Sequence, residues 1–575
     1  MKENVRKLLS GALLFALAAP AAAQADEQAL QKKVDELTRK VEKLEDKTLS
    51  KWLTIGGDYR FRLDSLRGET KGYTDAFGSL TDAQNDLQGT VFSGGSVAGR
   101  PLSQLMPLVQ TMQRTTSYGA AKAMVTGLMS PLPPGTPADV VLMQQMAGLL
   151  LTPPTAGVPG SGYARQIPSY KPKNETLYTN RLGLDLHAKA TKDVTVNMRL
   201  LAYKTFGSSN DEAVTNGGAT PYFADRVGVF DGTLGHVPSS SLLAVDRAFA
   251  TWANIADQPV WFSVGRRPST NGAPSNLRMN NERPGNGGTP ALLVDYAFDG
   301  MTLGWAPDIE ALPGAYAKVC YGRGFESGFD SPSNSLRDTD MVGVAIIPVD
   351  TDPLRVWLQW NRGLNIFDSA VMDDTAFGNT KVSVNLGDID WYGAGAMSTL
   401  KNIGPGKLNF FGDAGLSVTH PNQNVSGNAG FQGLLTGAFF NPEAPKDKTG
   451  WGAYLGARYD YEPSRTKVGL EYNHGSKNWM PFDPASDDMW TAKLGTRGDV
   501  YEAYLIQELN LKPISSHLSK AFFRVGYQYY NFEYTGSNNW VGAPVKISSI
   551  QQSDMMLLTP LKKAQDIYAT FEVKF

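Results

Sequence analysis

The chain has 575 residues, of which 19% are charged, 42% hydrophobic and 10% aromatic, with 59 Gly and a formal net charge of −2. So even a balance leaves no electrostatic footprint for nucleic acid, and no internal run of about 18 apolar residues exists to form a membrane-crossing helix. The single cysteine, Cys320, excludes an internal disulfide framework, c-type haem attachment and cysteine-based zinc sites, and reads as a small filler on a strand.

At the N-terminus, Lys2, Arg6 and Lys7 precede an apolar run from Leu8 to Ala19. Ala21-Ala22-Ala23 or Ala23-Gln24-Ala25 then fits a small-residue cleavage site. The pattern predicts a secretory signal peptide over 1–25, and an export route out of a bacterial cytoplasm. Residues 26–50 follow with Leu30, Val34, Leu37, Val41 and Leu44 at spacings of four and three. Val at a and Leu at d make this a heptad seam, a short α-helical coiled coil that leans toward dimers in isolation. Its length is marginal for a free-standing coil. An amphipathic helix lying on the mouth of the following domain is the alternative.

From Trp52 the period changes to two. In "WLTIGGDYRFRLDS", Leu53, Ile55, Gly57, Tyr59, Phe61 and Leu63 share one face, while Asp58, Arg60, Arg62 and Asp64 share the other. About sixteen such segments recur, from 52–64 to 564–575, and their length suits tilted membrane-crossing strands. Connections alternate between short ones ("TKD", "ADQP", "EPSR") and long ones (65–175, 207–240, 270–290, 421–448, 476–497, 535–563). That alternation is the pattern of a transmembrane antiparallel β-barrel, all-β over 51–575. An even count requires 291–305 to be one strand. Leu292, Val294, Tyr296 and Phe298 share a face until Asp299-Gly300, read as a bulge, hands it to Met301, Leu303 and Trp305. The long first loop, 65–175, holds Met-, Leu- and Ala-rich stretches that read as short helices.

Open strand edges cannot face hydrocarbon, so the barrel must close, with the first strand beside the last. Apolar positions then face lipid. The opposite positions are predicted to line a water-filled lumen: Asp58, Arg60, Arg62 and Asp64, then Arg181, Asp185 and Lys189, then Arg267, Arg355, Arg458, Asp460, Glu471 and Arg524. The phase of strands 241–255 and 498–511 is ambiguous. Trp52, Trp261, Trp305 and Trp451, near strand ends, fit aromatic girdles at the membrane surfaces, with ordinary strand composition as the alternative.

The chain ends "DIYATFEVKF", with Phe571, Val573 and the final Phe575 alternating. Together with the leader and the loop asymmetry, this resembles the C-terminal assembly signal of bacterial outer-membrane porins. The resemblance is closest to porin-like proteins that carry a short periplasmic coiled coil, and extends to an uncharacterised porin-like family of anaerobic and sulfur- or metal-reducing bacteria. It covers 1–64 and about 176–575, and the length of loop 65–175 departs from it. The resemblance implies an outer-membrane location, recognition by the barrel-assembly machinery, a homotrimer, and contact with the cell wall through the coiled coil. It also implies that the third long loop, 270–290, folds inward as a constriction, with Arg278, Glu282 and Arg283 facing Arg267 and wall residues; a solvated surface loop is the alternative.

No catalytic pattern stands out. The five histidines (187, 236, 420, 474 and 517) are scattered, and "GRGFESG" does not match a dinucleotide loop. The expectation is a non-enzyme without metal or cofactor. Passive diffusion of small hydrophilic solutes or ions is the leading reading. A structural or adhesive barrel and the sheath of an electron-transfer conduit are the alternatives.

Overall fold

A strand that alternates apolar and charged residues has two incompatible faces, and closing it into a cylinder separates them. The structure, a computed structural model, describes residues 52–92, 111–112, 114–131, 134, 138–158, 160–207, 242–267, 272–281, 288–332, 334–368, 382–483, 486–511 and 520–575. The expected leader and coiled coil lie outside the described residues. So do Glu282, Arg283, His236 and His517.

Sixteen antiparallel strands form one closed barrel. They are β1 (Leu53–Thr70), β2 (Lys173–Lys189), β3 (Val194–Thr205), β4 (Leu242–Trp252), β5 (Val260–Arg267), β6 (Phe298–Trp305), β7 (Tyr316–Phe325) and β8 (Thr339–Asp350). Then come β9 (Leu354–Phe367), β10 (Asn385–Ile403), β11 (Gly406–Pro421), β12 (Lys448–Tyr461), β13 (Thr466–Gly475), β14 (Gly498–Glu508), β15 (Lys520–Phe532) and β16 (Leu561–Lys574). Each strand pairs with its chain neighbours, and β1 pairs with β16 in the register Tyr59↔Val573 and Phe61↔Phe571. At the seam, Gly57 and Phe575 exchange backbone hydrogen bonds of 2.8 and 3.0 Å. A Cβ on Gly57 would sit 2.3 Å from the Gly183 carbonyl oxygen and 3.0 Å from the Phe575 ring, so closure needs glycine there.

Apolar side chains point outward, with Leu182, Leu303, Leu358, Leu470, Val525 and Ile567 all exposed. The in-phase polar residues point inward. One end of the barrel carries tight connections such as 190–193, 351–353, 404–405 and 462–465. The other carries the long loops 71–172, 268–297, 422–447, 476–497 and 533–560.

Over that long-loop end, Tyr73–Asp75 pairs with Arg165–Ile167 and with Met555–Met556, tying the first long loop to the last. Helices α1 (Ala76–Phe92), α2 (Tyr118–Met129) and α3 (Ala138–Leu151) belong to the same first loop. Asp75 accepts from the Gly78 backbone N–H at 3.0 Å at the start of α1. Ser117 does the same for Ala120 at 3.3 Å at the start of α2. Beneath α2, Ala121 packs against Val425 and Phe431 of loop 422–447.

Two expectations are corrected. The sixth strand begins only at Phe298, and its pairings through Asp299 and Gly300 run without a register shift, so no bulge exists there. Leu292, Leu293, Val294 and Tyr296 are instead buried inside the barrel with Trp357, Trp391 and Trp479. A lumenal loop and an outward strand are both apolar, and alternation does not distinguish them. Trp261 likewise turns inward, edge-on to Tyr316 at 6.2 Å between ring centroids, whereas Trp52, Trp305 and Trp451 are exposed.

Candidate functional site

The inward face of the barrel contains pairs of like charges that the strand registers place directly opposite one another. Arg60 of β1 faces Arg181 of β2, and Glu471 of β13 faces Glu502 of β14. Such pairs are destabilising on a sheet unless a third group intervenes. Here that group comes from a long loop that folds into the lumen.

The segment 476–497, here termed the strap, carries Asp487, Asp488 and Lys493. Asp487 takes Arg60 in a two-pronged pair, with Arg60 Nη2 to Asp487 Oδ1 at 2.8 Å, and its carbonyl accepts from Arg62 Nη1 at 2.9 Å. Lys493 Nζ lies between the two glutamates, bonding Glu471 and reaching Glu502 Oε2 at 2.6 Å. Tyr454 donates to Glu471 at 2.6 Å and Tyr568 to Glu502 at 2.7 Å, so each carboxylate also has a neutral partner. Arg497 fastens the strap's end, donating to the carbonyls of Trp479, Thr535 and Asn539 at 2.9–3.0 Å.

A second segment, 272–281, descends alongside it. Arg278 pairs with Asp488 at 2.6 Å and Glu502 at 3.3 Å. Its carbonyl accepts from Arg524 at 2.9 Å, while Asn280 reaches Lys467 and Glu508 near the short-turn end. Further along, the Asp295 N–H donates to the Phe482 carbonyl and the Phe482 N–H to the Leu293 carbonyl, both at 2.8 Å, joining the two segments.

Arg62 bonds Asp64 at 2.6 Å and Asp566 at 3.0 Å. Asp58 accepts from Arg181 at 2.9 Å and from Arg199, which also holds Asp185. Arg458 is chelated by Asp460 at 2.6 and 2.8 Å. Arg524 pairs with Glu572 at 2.9 Å, and Arg355 donates to Tyr316 at 2.7 Å. Arg267 donates to Ser263 at 2.8 Å and to Thr302. Lys189 lies exposed at the short-turn end, apart from the rest. Phe571 packs at a tilt against Phe523 on the outer face, with ring centroids 5.0 Å apart; Val573 opposes Tyr59 in the seam.

Sequence reasoning passed over Arg199, Glu502 and Glu572, together with Asp487, Asp488 and Lys493 of the strap. Arg199 was within reach, since it occupies the inward phase directly opposite Asp185. Glu502 lies on the strand of ambiguous phase. The strap residues have no periodic signature, and their partners lie hundreds of positions away.

Electrostatics separate the strap's acids. Burial pushes the Asp487 carboxyl up, but Arg60, Arg62 and Arg181 outweigh it and hold the group well below the usual carboxylate range. The same holds for Asp488, where Arg278 and Lys493 overcome burial. Asp483 goes the other way: burial, then the charges of Asp295 and Asp488, raise it well above the usual range, against a smaller opposing pull from the Asp295 backbone N–H.

The lumen is therefore uneven. On the wall formed by β1 and β12–β16, Arg60, Asp64 and Arg524 are 0–2% exposed, packed dry against the two in-folded segments. On the wall formed by β2–β7, the Asp185 side chain is 48% exposed and that of Arg247 30%. His187, Asn197, Arg267 and Cys320 are half-buried there.

Residues 171–575 match the family described as "Protein of unknown function (DUF3373)". No curated protein matches the chain. Among solved structures, the anion-selective porin from Comamonas acidovorans is similar at 11% identity, covering 91% of this chain and 99% of that one, with a TM-score of 0.37. OprB of Pseudomonas putida is similar at 10% identity, covering 92% and 95%, with a TM-score of 0.38. OmpT of Vibrio cholerae, an outer membrane protein in a trimer form, is similar at 11% identity, covering 70% and 93%, with a TM-score of 0.33.

Proposed function

The chain belongs to the DUF3373 family, whose description carries no activity, and from that premise we propose that it is a bacterial outer-membrane channel, not an enzyme, passing small hydrophilic solutes or ions through a narrow aqueous path. A sixteen-stranded cylinder encloses enough space for water, and its outward belt is apolar. The observation that carries the reading is the uneven wetting of the interior. The strap and 272–281 fill one side, and along β2–β7 Asp185, Arg247 and Arg267 keep contact with solvent. The aqueous path follows that second wall, lined by Asp185, Arg247 and Arg267, while Arg60, Arg62, Asp64 and Arg524 hold the in-folded segments rather than meeting solute.

The test is conductance of the folded protein in planar bilayers. Small ohmic steps are expected, well below those of an unobstructed barrel. No ohmic step, from the intact chain or from one lacking 112–164, would overturn the channel reading. That outcome would favour a closed structural or adhesive barrel, which the dry packing beside β12–β16 and the helical first loop would suit.

A further inference from the structure

On the wetter wall, one row of inward positions crosses four strands: Thr302 of β6, Cys320 of β7, Gly343 of β8 and Asn361 of β9. Gly343 leaves the row open, because a Cβ there would lie 2.3 Å from Asn361 Oδ1. The result is a cavity of about 70 Å3, lined by Arg267, Thr302, Lys318, Cys320, Gln359 and Asn361 and roofed by Thr289 and Val294 of the in-folded loop. One water needs about 10–15 Å3 by this measure, so the space admits several waters or one small polyatomic ion.

Its polar lining is donor-rich and positive. Arg267 is held by two hydroxyls, Ser263 and Thr302, and among the described residues no carboxylate reaches it. Lys318 donates to the Gly288 carbonyl at 2.8 Å, and the charges acting on it include those of Arg267 and Arg355. Among the described residues, Asn361 Nδ2 is a buried donor without a partner, and Gln359 is a buried amide with an unpartnered end. A half-turn of that amide would present N–H to the cavity. On the opposite wall, Arg60, Arg62, Arg278 and Arg524 each pair with a carboxylate, whereas Arg267 and Lys318 border the cavity.

We propose that this cavity is an internal binding site for a small oxyanion or carboxylate, held between Arg267 and Lys318 with Asn361 as a neutral donor. Guanidinium and ammonium groups bind such anions through charge-assisted hydrogen bonds. Passage of the anion to and from the site along β2–β7 rests on the channel reading; binding does not.

Two measurements on the folded chain in detergent test the site. In equilibrium dialysis with radiolabelled sulfate and, separately, acetate, one saturable site per chain is expected for at least one probe, and the pair tells an inorganic oxyanion from a carboxylate. R267Q and K318Q should weaken it about tenfold or more, whereas R323Q on the outer face should not. Cys320, the only thiol, reports the local potential without any substitution. An anionic methanethiosulfonate should modify it about 10-fold faster than a cationic one, as focusing of counter-ions by a charged cleft allows. Absence of saturable binding for both probes, or modification at equal rates or faster by the cationic reagent, overturns the site. Binding without conductance would leave the site and remove the channel; conductance without binding would do the reverse.

Discussion

Glu471 and Glu502 stand opposite each other on neighbouring strands, both buried, and Lys493 is the cation between them. Lys493 also lies over the Tyr454 ring, 5.0 Å from its centroid. Replacing it with Met keeps volume but leaves two like charges facing in a dry interior. The loss of one partner from a buried pair costs about 3–5 kcal/mol, so Lys493→Met should lower the unfolding free energy read from a urea titration of the barrel by that amount. Lys467→Met, at the more exposed short-turn end, should cost well under half as much.

Asp483 gives the opposite sign. Its carboxyl is raised, so folding takes up a proton. Stability is fully present below the ordinary carboxylate pKa and is lost as pH rises toward the folded value. Asp483→Asn removes that slope. At pH 7, where the unfolded carboxyl gains about 1.4 kcal/mol per pH unit above its ordinary pKa by ionising, the variant should be the more stable, and near pH 3.5 the two should agree. Asp487 and Asp488 are depressed, so their contribution should persist through pH 4 and fail only in stronger acid. The alternation around Asp58–Asp64 showed which charges share a face. It did not show that Arg60 meets Asp487, because that pairing depends on a loop with no periodic pattern.

The strap is the element on which the lumen's dry side depends. It supplies the counter-ion to the Arg60–Arg181 pair and to the Glu471–Glu502 pair, and it brings Trp479 and Phe482 into the core around Trp357 and Trp391. Replacing 480–494 with a short flexible linker should therefore do two things together. Single-channel conductance should rise several-fold, and the denaturation midpoint should fall. Removing 112–164 should leave conductance nearly unchanged, since α2 rests on loop 422–447 at the rim and not in the lumen. Equal conductance after both deletions would show that the strap does not limit the path. At this scale the strands were legible from their period and the helices of the first loop from composition. Residues 291–297 were not, because burial inside a barrel selects the same Leu, Val and Tyr as contact with lipid. Nor was the inward turn of Trp261, whose ring fills space over Gly304.

For the molecule as a whole, the decisive fact is that one residue along a strand changes the solvent. Arg524 is buried and paired with Glu572, and Val525 beside it is half exposed on the outer face, between Leu505 of β14 and Ala569 of β16. If that outer face meets hydrocarbon, Val525→Arg places a guanidinium in the bilayer, which costs about 2–4 kcal/mol near the midplane and less toward either surface. If it meets water, the same substitution on an exposed strand falls within about 0.5 kcal/mol of neutral. Urea titration of the barrel in lipid vesicles separates the two, with the larger loss expected. A graded series sharpens it: Arg at Leu505 and Leu470, also outward and mid-strand, should cost about as much as at Val525. Arg at Trp305, at the short-turn end of β6, should cost much less. A flat profile along the strands would place the belt in water and leave the charged lumen without a membrane to cross.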